Sequence, residues 1–322
     1  MLKFIKSFSK YKKKLVVYLS VIFLLIFIYC LTIIFDSQRT ALRLSNYIWF
    51  DQRHFDLINR IEIFGTYRIS STDFANTTIL DRKNNLWVIS KIDLNGNIID
   101  YPVRQNRVDD FLAVLSRRGY YPIRSLSQAM ERSAFGNDPS RITIRGGSGP
   151  PLLDMLIGYT DHSTGSIFLR RYGEREIRSG EDLFTVYTES DLTFWYDLRL
   201  FPDINPAMVQ RFHIFNIEDQ EVFSLVRNMN SWIDENTDTA FPGADSYLRL
   251  IMDSRGESFV YNDNFNIYNS IILELGDGNI HILDIGYSDI DNNNAARIRG
   301  LPYIYSLSEW TVRNILRLDA PQ

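Results

Sequence analysis

The residues of this chain with chemistry to offer are four histidines, one cysteine and scattered carboxylates. The histidines are His54, His162, His213 and His281, and none stands within helical spacing of another. Zinc sites announce themselves as His-Glu-x-x-His on one helix or as Cys-x-x-Cys pairs, and neither pattern occurs. A metal would have to collect its ligands from distant parts of the chain. His213 and His281 fall in alternating, strand-like stretches, where an imidazole is expected to face solvent or meet a polar partner. Cys30 is the single cysteine, so there is no disulfide framework.

The loops are no richer. Gly146 to Pro151 (GGSGPP) lacks the Gly-Lys-Ser/Thr ending of a phosphate loop and reads as a connection. There is no Gly-x-Ser-x-Gly nucleophile elbow. Asp182, Asp191 and Asp197 form no recognisable acid pair, although glycosidases scatter their carboxylates. Asp234-x-Asn236-x-Asp238 and Asp289-x-Asp291-x-Asn293 have the oxygen spacing of a calcium loop. Both lack its glycine at position six and its glutamate at position twelve, and are expected to be solvated turns. No catalytic, cofactor-binding or metal residue is assigned, and no cofactor is expected.

What must hold such a chain in place begins with Leu15 to Phe35, LVVYLSVIFLLIFIYCLTIIF. It is uncharged and long enough for a helix to cross about 30 Å of hydrocarbon. Residues 1–14 hold Lys3, Lys6, Lys10, Lys12, Lys13 and Lys14 and no acid. The positive-inside rule puts this tail in the cytoplasm and the bulk outside, at the inner (cytoplasmic) membrane. The tail accounts for +6 of a net charge of −4, which leaves −10 for the remainder. That acidic remainder argues against nucleic acid as a partner. A cleavable signal peptide would end in small residues, which Ile34-Phe35-Asp36 does not supply. A lipoprotein acylated at Cys30 is the other alternative, but bulky Tyr29 precedes it. The expected partner of residues 15–35 is therefore the lipid bilayer.

Beyond the span, Ala41, Leu44 and Ile48 recur at helical spacing, so residues 36–59 are expected to form a helical stalk. Strand patterns then take over. RIEIFG from Arg60 alternates apolar and polar residues. TTILDRKNNLWVISKI turns at Asn84-Asn85, and IDLNGNIIDYP turns at Asn95-Gly96. Val108, Phe111, Leu112 and Leu115 share one helix face that closes at Gly119. Ser125 to Asn137 is expected to be helical, and two strands turning at His162 to Gly165 follow. Pro202 and Pro206 mark a boundary, giving exported units of 60–202 and 203–322.

The second unit repeats the first. RIEIF at 60–64 is echoed by RFHIF at 211–215, and DRKNNLWVI by VRNMNSWID. VLSRRG is echoed by IMDSRG, and LIGYTDHSTGSIFLRRYG by IILELGDGNIHILDIGY. VYTESDLTFWYDLRLF is echoed by YIYSLSEWTVRNILRL, with Trp195 over Trp310. The expected fold is α+β: an N-terminal transmembrane helix, then a duplicated two-layer unit of sheet plus helices with its tryptophans inside.

The order of Trp-Val-Ile, Tyr-Pro, Val-x-x-Phe-Leu-x-x-Leu and Phe-Trp-x-Asp-x-Arg-x-Phe resembles the membrane-anchored domain-of-unknown-function family 4340. The resemblance covers 60–201, with a weaker copy at 211–318. It implies a non-enzymatic envelope subunit beside the permease and auxiliary proteins of a gliding-motility-type ABC transporter. The expected function is thus a non-catalytic, membrane-anchored exported subunit that scaffolds or regulates an envelope complex. The alternatives are an envelope hydrolase with dispersed carboxylates, or an extracytoplasmic solute-binding or sensor module.

Overall fold

A computed structural model of the 322-residue chain describes residues 15, 18–32, 46–69, 72–93, 96–161, 163–189, 191–202, 204–218, 220–229, 231–260, 265–288 and 293–316. Residues 18–32 are helical (α1), with large apolar side chains exposed on every side, among them Leu19, Phe23, Leu24 and Phe27. Among the described residues no helix is long and apolar enough to cross a membrane; residues 16–17 and 33–45, which flank α1, lie outside them.

The expected stalk is corrected where it is described. Asn46–Tyr47 is a short strand (β1) and Gln52–Leu57 a 3₁₀ helix. Two causes oppose an α-helix here, one local and one from packing. The Asp51 carboxylate accepts from the backbone N–H of Arg53, competing with a helical turn. Trp49, Phe50 and Ile58 are buried, so this stretch is held by the side chains it inserts.

The first copy runs β2 (Arg60–Ile69), β3 (Thr72–Lys83), β4 (Leu86–Ile92), β5 (Ile98–Pro102), α2 (Gln105–Ser116), β6 (Gly119–Tyr120), β7 (Ile123–Ser125), α3 (Gln128–Phe135), β8 (Ser140–Arg145), β9 (Leu153–Asp161), β10 (Ser166–Arg171), β11 (Ile177–Gly180), α4 (Thr185–Thr188) and α5 (Leu192–Trp195). The second runs β12 (Val209–Asn216), β13 (Glu221–Asn228), β14 (Ser231–Asp234), β15 (Thr239–Ala240), α6 (Ala244–Asp253), β16 (Ser258–Val260), β17 (Asn266–Leu275), β18 (Ile280–Ser288), β19 (Asn293–Ile298), β20 (Ile304–Leu307) and α7 (Glu309–Ile315).

The protein is α+β, with two nine-stranded antiparallel sheets. Their orders are β5-β4-β3-β2-β8-β9-β10-β11-β7 and β15-β14-β13-β12-β17-β18-β19-β20-β16. These orders correspond strand for strand, and α2 and α6 occupy the same step of the chain. β1 and β6 form a separate two-stranded pair. The chain divides into two compact units. One is Met1–Asp56, Leu112–Ile142 and Leu153–Thr185; the other is Leu57–Phe111, Thr143–Leu152 and Val186–Gln322.

Local chemistry explains the matching elements. Ile61 and Ile63 are buried on β2, as Phe212 and Ile214 are on β12, because side chains alternate across a sheet. Asn84 and Asn85 take φ of 50° and 64°, the left-handed pair of a two-residue hairpin. Met229 holds the equivalent place at φ 54°. Trp87 and Trp232 follow these turns, both buried, with the guanidiniums of Arg82 and Arg227 over their rings at 6.0 and 4.7 Å. α6 covers one face of its sheet: Tyr247 meets Phe212 and Phe223 edge-on, and Asp245 accepts from the Trp232 indole N–H at 2.9 Å.

Two of the five echoes are corrected by these strands. The hairpin equivalent to β17–β18 is β8–β9, not β9–β10, so Ile157-Gly158-Tyr159 matches Ile285-Gly286-Tyr287. Both hairpins have glycine-bearing turns between alternating strands, so the pattern fits equally well one strand along. The closing tryptophans also differ: Trp195 on α5 is fully buried, whereas Trp310 on α7 is 74% exposed. After β11 the counterpart of α7 is α4, and α5 is extra to the first copy.

Candidate functional site

The face of the second sheet opposite α6 gathers the one cluster, among the described residues, of three or more His, Cys, Asp or Glu side chains close enough to hold a metal ion. Register builds it. His213 on β12 lies opposite Ser224 on β13 and Ile272 on β17, and Arg211 lies opposite Glu274. Phe212 and Leu225 point to the core, so Arg211, His213, Ser224 and Glu274 share the other face. Glu221 would belong to the core face under strict alternation. A bulge after Ile214 pairs Phe215 with Glu221 and turns that carboxylate toward His213. Glu235, just past β14, donates its backbone N–H to Ser224 O and brings a second carboxylate to the same place.

His213 Nδ1 lies 3.2 Å from Glu221 Oε1 and 3.0 Å from Ser224 Oγ. Ser224 Oγ donates to Glu235 Oε2 at 2.5 Å. His213 Nε2 is 3.9 Å from Glu274 Oε1. Arg211 stands off at 4.0 Å from both Glu235 and Glu274. The His213 side chain is 12% exposed, while the three carboxylates are about a third open to solvent.

A serine beside a histidine raises nucleophilic catalysis, and the geometry argues against it. Such a serine must give its proton to the imidazole. Here Glu235 already accepts the Ser224 proton, and Ser224 is fully buried in mid-strand, with no approach for a carbonyl. The arrangement instead offers one imidazole nitrogen and two carboxylates to a shared point, all three within 4.8 Å of one another.

Among the described residues the first copy has no such cluster. Glu62 takes the place of His213 and Ile79 that of Ser224, and Arg145 at the end of β8 reaches Glu62. Glu62 accepts from Arg60 at 2.9 Å and from Arg145 at 3.3 Å, and Arg60 also reaches Asp81 at 3.5 Å. Those carboxylates are neutralised by arginine.

The remaining sequence candidates fall elsewhere. His54 is exposed on the 3₁₀ helix and His281 half-buried on β18, while His162 lies outside the described residues. Asp182 accepts from the Thr185 N–H and hydroxyl, and Asp191 caps α5 through Thr193 and Phe194. Asp197 is buried against Arg199; burial opposes its charge, but the guanidinium prevails and holds its pKa below the ordinary value. These three aspartates are caps and ion-pair partners, not an acid pair. Asp234 accepts from the N–H groups of Asn236 and Thr237, the turn expected of it. Asp289 and Asp291 lie outside the described residues. GGSGPP joins β8 to β9, and Cys30 is exposed on α1.

No protein-family model, curated protein or solved structure matches this chain.

Proposed function

We propose that this protein is a non-catalytic subunit of an envelope complex, held in the cytoplasmic membrane by residues 15–35, with residues 36–322 on the extracytoplasmic side. The observation that carries this reading is α1. Its described side chains are apolar almost all round and exposed, and a helix of that kind belongs in a membrane or a core. The hydroxyl of Thr32 folds back onto the carbonyls of Ile28 and Tyr29, the way a polar group is satisfied without leaving its own helix. No acid, base or amide occurs in the run to serve as a transport path, so the helix anchors or packs rather than conducts.

The six lysines before the run set the orientation. After it come two sheets of matching order, the design of a duplicated two-layer unit, whose surfaces carry many arginines, a residue enriched where proteins meet. The resemblance of 60–201 to family 4340 supplies the partner: an ABC permease or its auxiliary membrane subunit.

Crosslinking in intact membranes followed by mass spectrometry tests this. The expected result is crosslinks from the two sheets to a permease or auxiliary subunit. Recovery of the chain alone, with the purified protein hydrolysing a glycan or peptide, contradicts it and favours an enzyme.

A further inference from the structure

We propose that His213, Glu221 and Glu235 form a binding site for a zinc-class divalent cation, with Glu274 and Ser224 as supporting groups. The donor set comes first. Imidazole nitrogen with carboxylate oxygen suits zinc, whereas calcium and magnesium select all-oxygen shells. Spacing comes second. Two ligands on a tetrahedral zinc at about 2.0–2.1 Å stand about 3.3 Å apart. His213 Nδ1 and Glu221 Oε1 are 3.2 Å apart without any rearrangement, and the Glu235 oxygen lies within 4.8 Å of both.

Orientation is the third argument, and it is independent of the ligands themselves. Metal-bound imidazoles usually present their other nitrogen to a carboxylate, which fixes the ring. His213 Nε2 lies 3.9 Å from Glu274 on the side away from Glu221, which Nδ1 faces at 3.2 Å. Ser224, fully buried in mid-strand, holds Glu235 by its hydroxyl, a second support of the same kind. Charge is the fourth. Three glutamates converge on a neutral or singly charged imidazole and one arginine that stays 4.0 Å away. A divalent cation supplies what is missing, and the matching face of the first copy uses arginine for that purpose.

The test uses the full chain in detergent micelles, stripped with a chelator and titrated with Zn²⁺ by calorimetry. One zinc per chain is expected, with Mg²⁺ and Ca²⁺ giving no saturable heat. His213→Gln and Glu221→Gln are each expected to weaken zinc by about 100-fold or more through loss of a ligand, and Glu274→Gln by about 10–100-fold. His281→Ala, on another strand, keeps the wild-type affinity. Because Glu221 lies at the rim of the sheet, its glutamine variant decides the matter even where His213→Gln fails to fold. No zinc binding, or zinc binding unchanged in Glu221→Gln, overturns the assignment.

Discussion

Trp195→Ala is expected to cost about 3–5 kcal/mol, the usual loss when a buried indole leaves a cavity. Trp195 is fully buried and is surrounded by rings: Phe111 at 5.9 Å, Tyr187 at 5.8 Å and Phe194 at 5.2 Å between centroids. Those rings belong to the first-copy helices and cannot collapse into the space of an indole without leaving their own contacts. Trp195→Phe should cost much less. The Trp195 indole N–H is buried with no hydrogen-bond partner, so phenylalanine removes an unsatisfied donor along with part of the packing. Trp310→Ala, at an exposed site, should stay within about 0.5 kcal/mol. Shifts of the urea midpoint at constant slope measure all three. Equal losses for Trp195→Ala and Trp310→Ala would mean that the two tryptophans are equivalent after all.

A methyl group added at Gly65, Gly158 or Gly286 is the second large perturbation. At Gly158 the new carbon would sit 2.2 Å from Ala134 O and 2.9 Å from Phe135 Cδ1; at Gly286, 2.3 Å from Asn266 O and 2.5 Å from Phe265 Cδ2. At Gly65 it would lie 1.6 Å from Thr188 O. In each case the nearest atom is backbone, which no rotamer change moves aside. Alanine at any of the three should cost about 1–3 kcal/mol or more, the scale of an overpacked core. Gly149→Ala, which meets nothing within 4 Å, should be silent in the same urea series. Gly158 and Gly286 occupy the same place in Ile-Gly-Tyr of β9 and β18, so matched losses would show one packing rule operating in both copies. A silent Gly158→Ala beside a costly Gly286→Ala would break that correspondence.

The strands were legible in the sequence because each alternates on its own. Ile61 and Ile63, or Phe212 and Ile214, announce a half-buried strand without knowledge of its neighbours, and the Asn84-Asn85 turn follows from the left-handed backbone asparagine tolerates. The helix face of Val108, Phe111, Leu112 and Leu115 was equally local, and all four are buried. What failed depended on partners far along the chain. In the described part of the expected stalk Asn46–Tyr47 is a strand, Trp49 and Phe50 are claimed by the core, and Asp51 by its own turn.

The candidate site was illegible for the same reason. His213, Glu221, Glu235 and Glu274 share no spacing that a local motif would reveal; pairing of β12, β13 and β17 brings them together. The bulge that turns Glu221 outward leaves no mark in the sequence, since Val222 on the bulged strand is an ordinary strand residue.

The proposed function requires the two sheets to lie across the membrane from the lysine-rich tail, and labelling of introduced cysteines tests this most directly. In a Cys30→Ser background, Gly149→Cys reports on the β8–β9 loop and Ser7→Cys on the tail. A maleimide that cannot cross the cytoplasmic membrane should label Gly149→Cys in cells with permeabilised outer layers, and Ser7→Cys only after that membrane is broken. Labelling of Ser7→Cys in those cells, with Gly149→Cys protected until lysis, would contradict the proposed orientation and, with it, the proposed role.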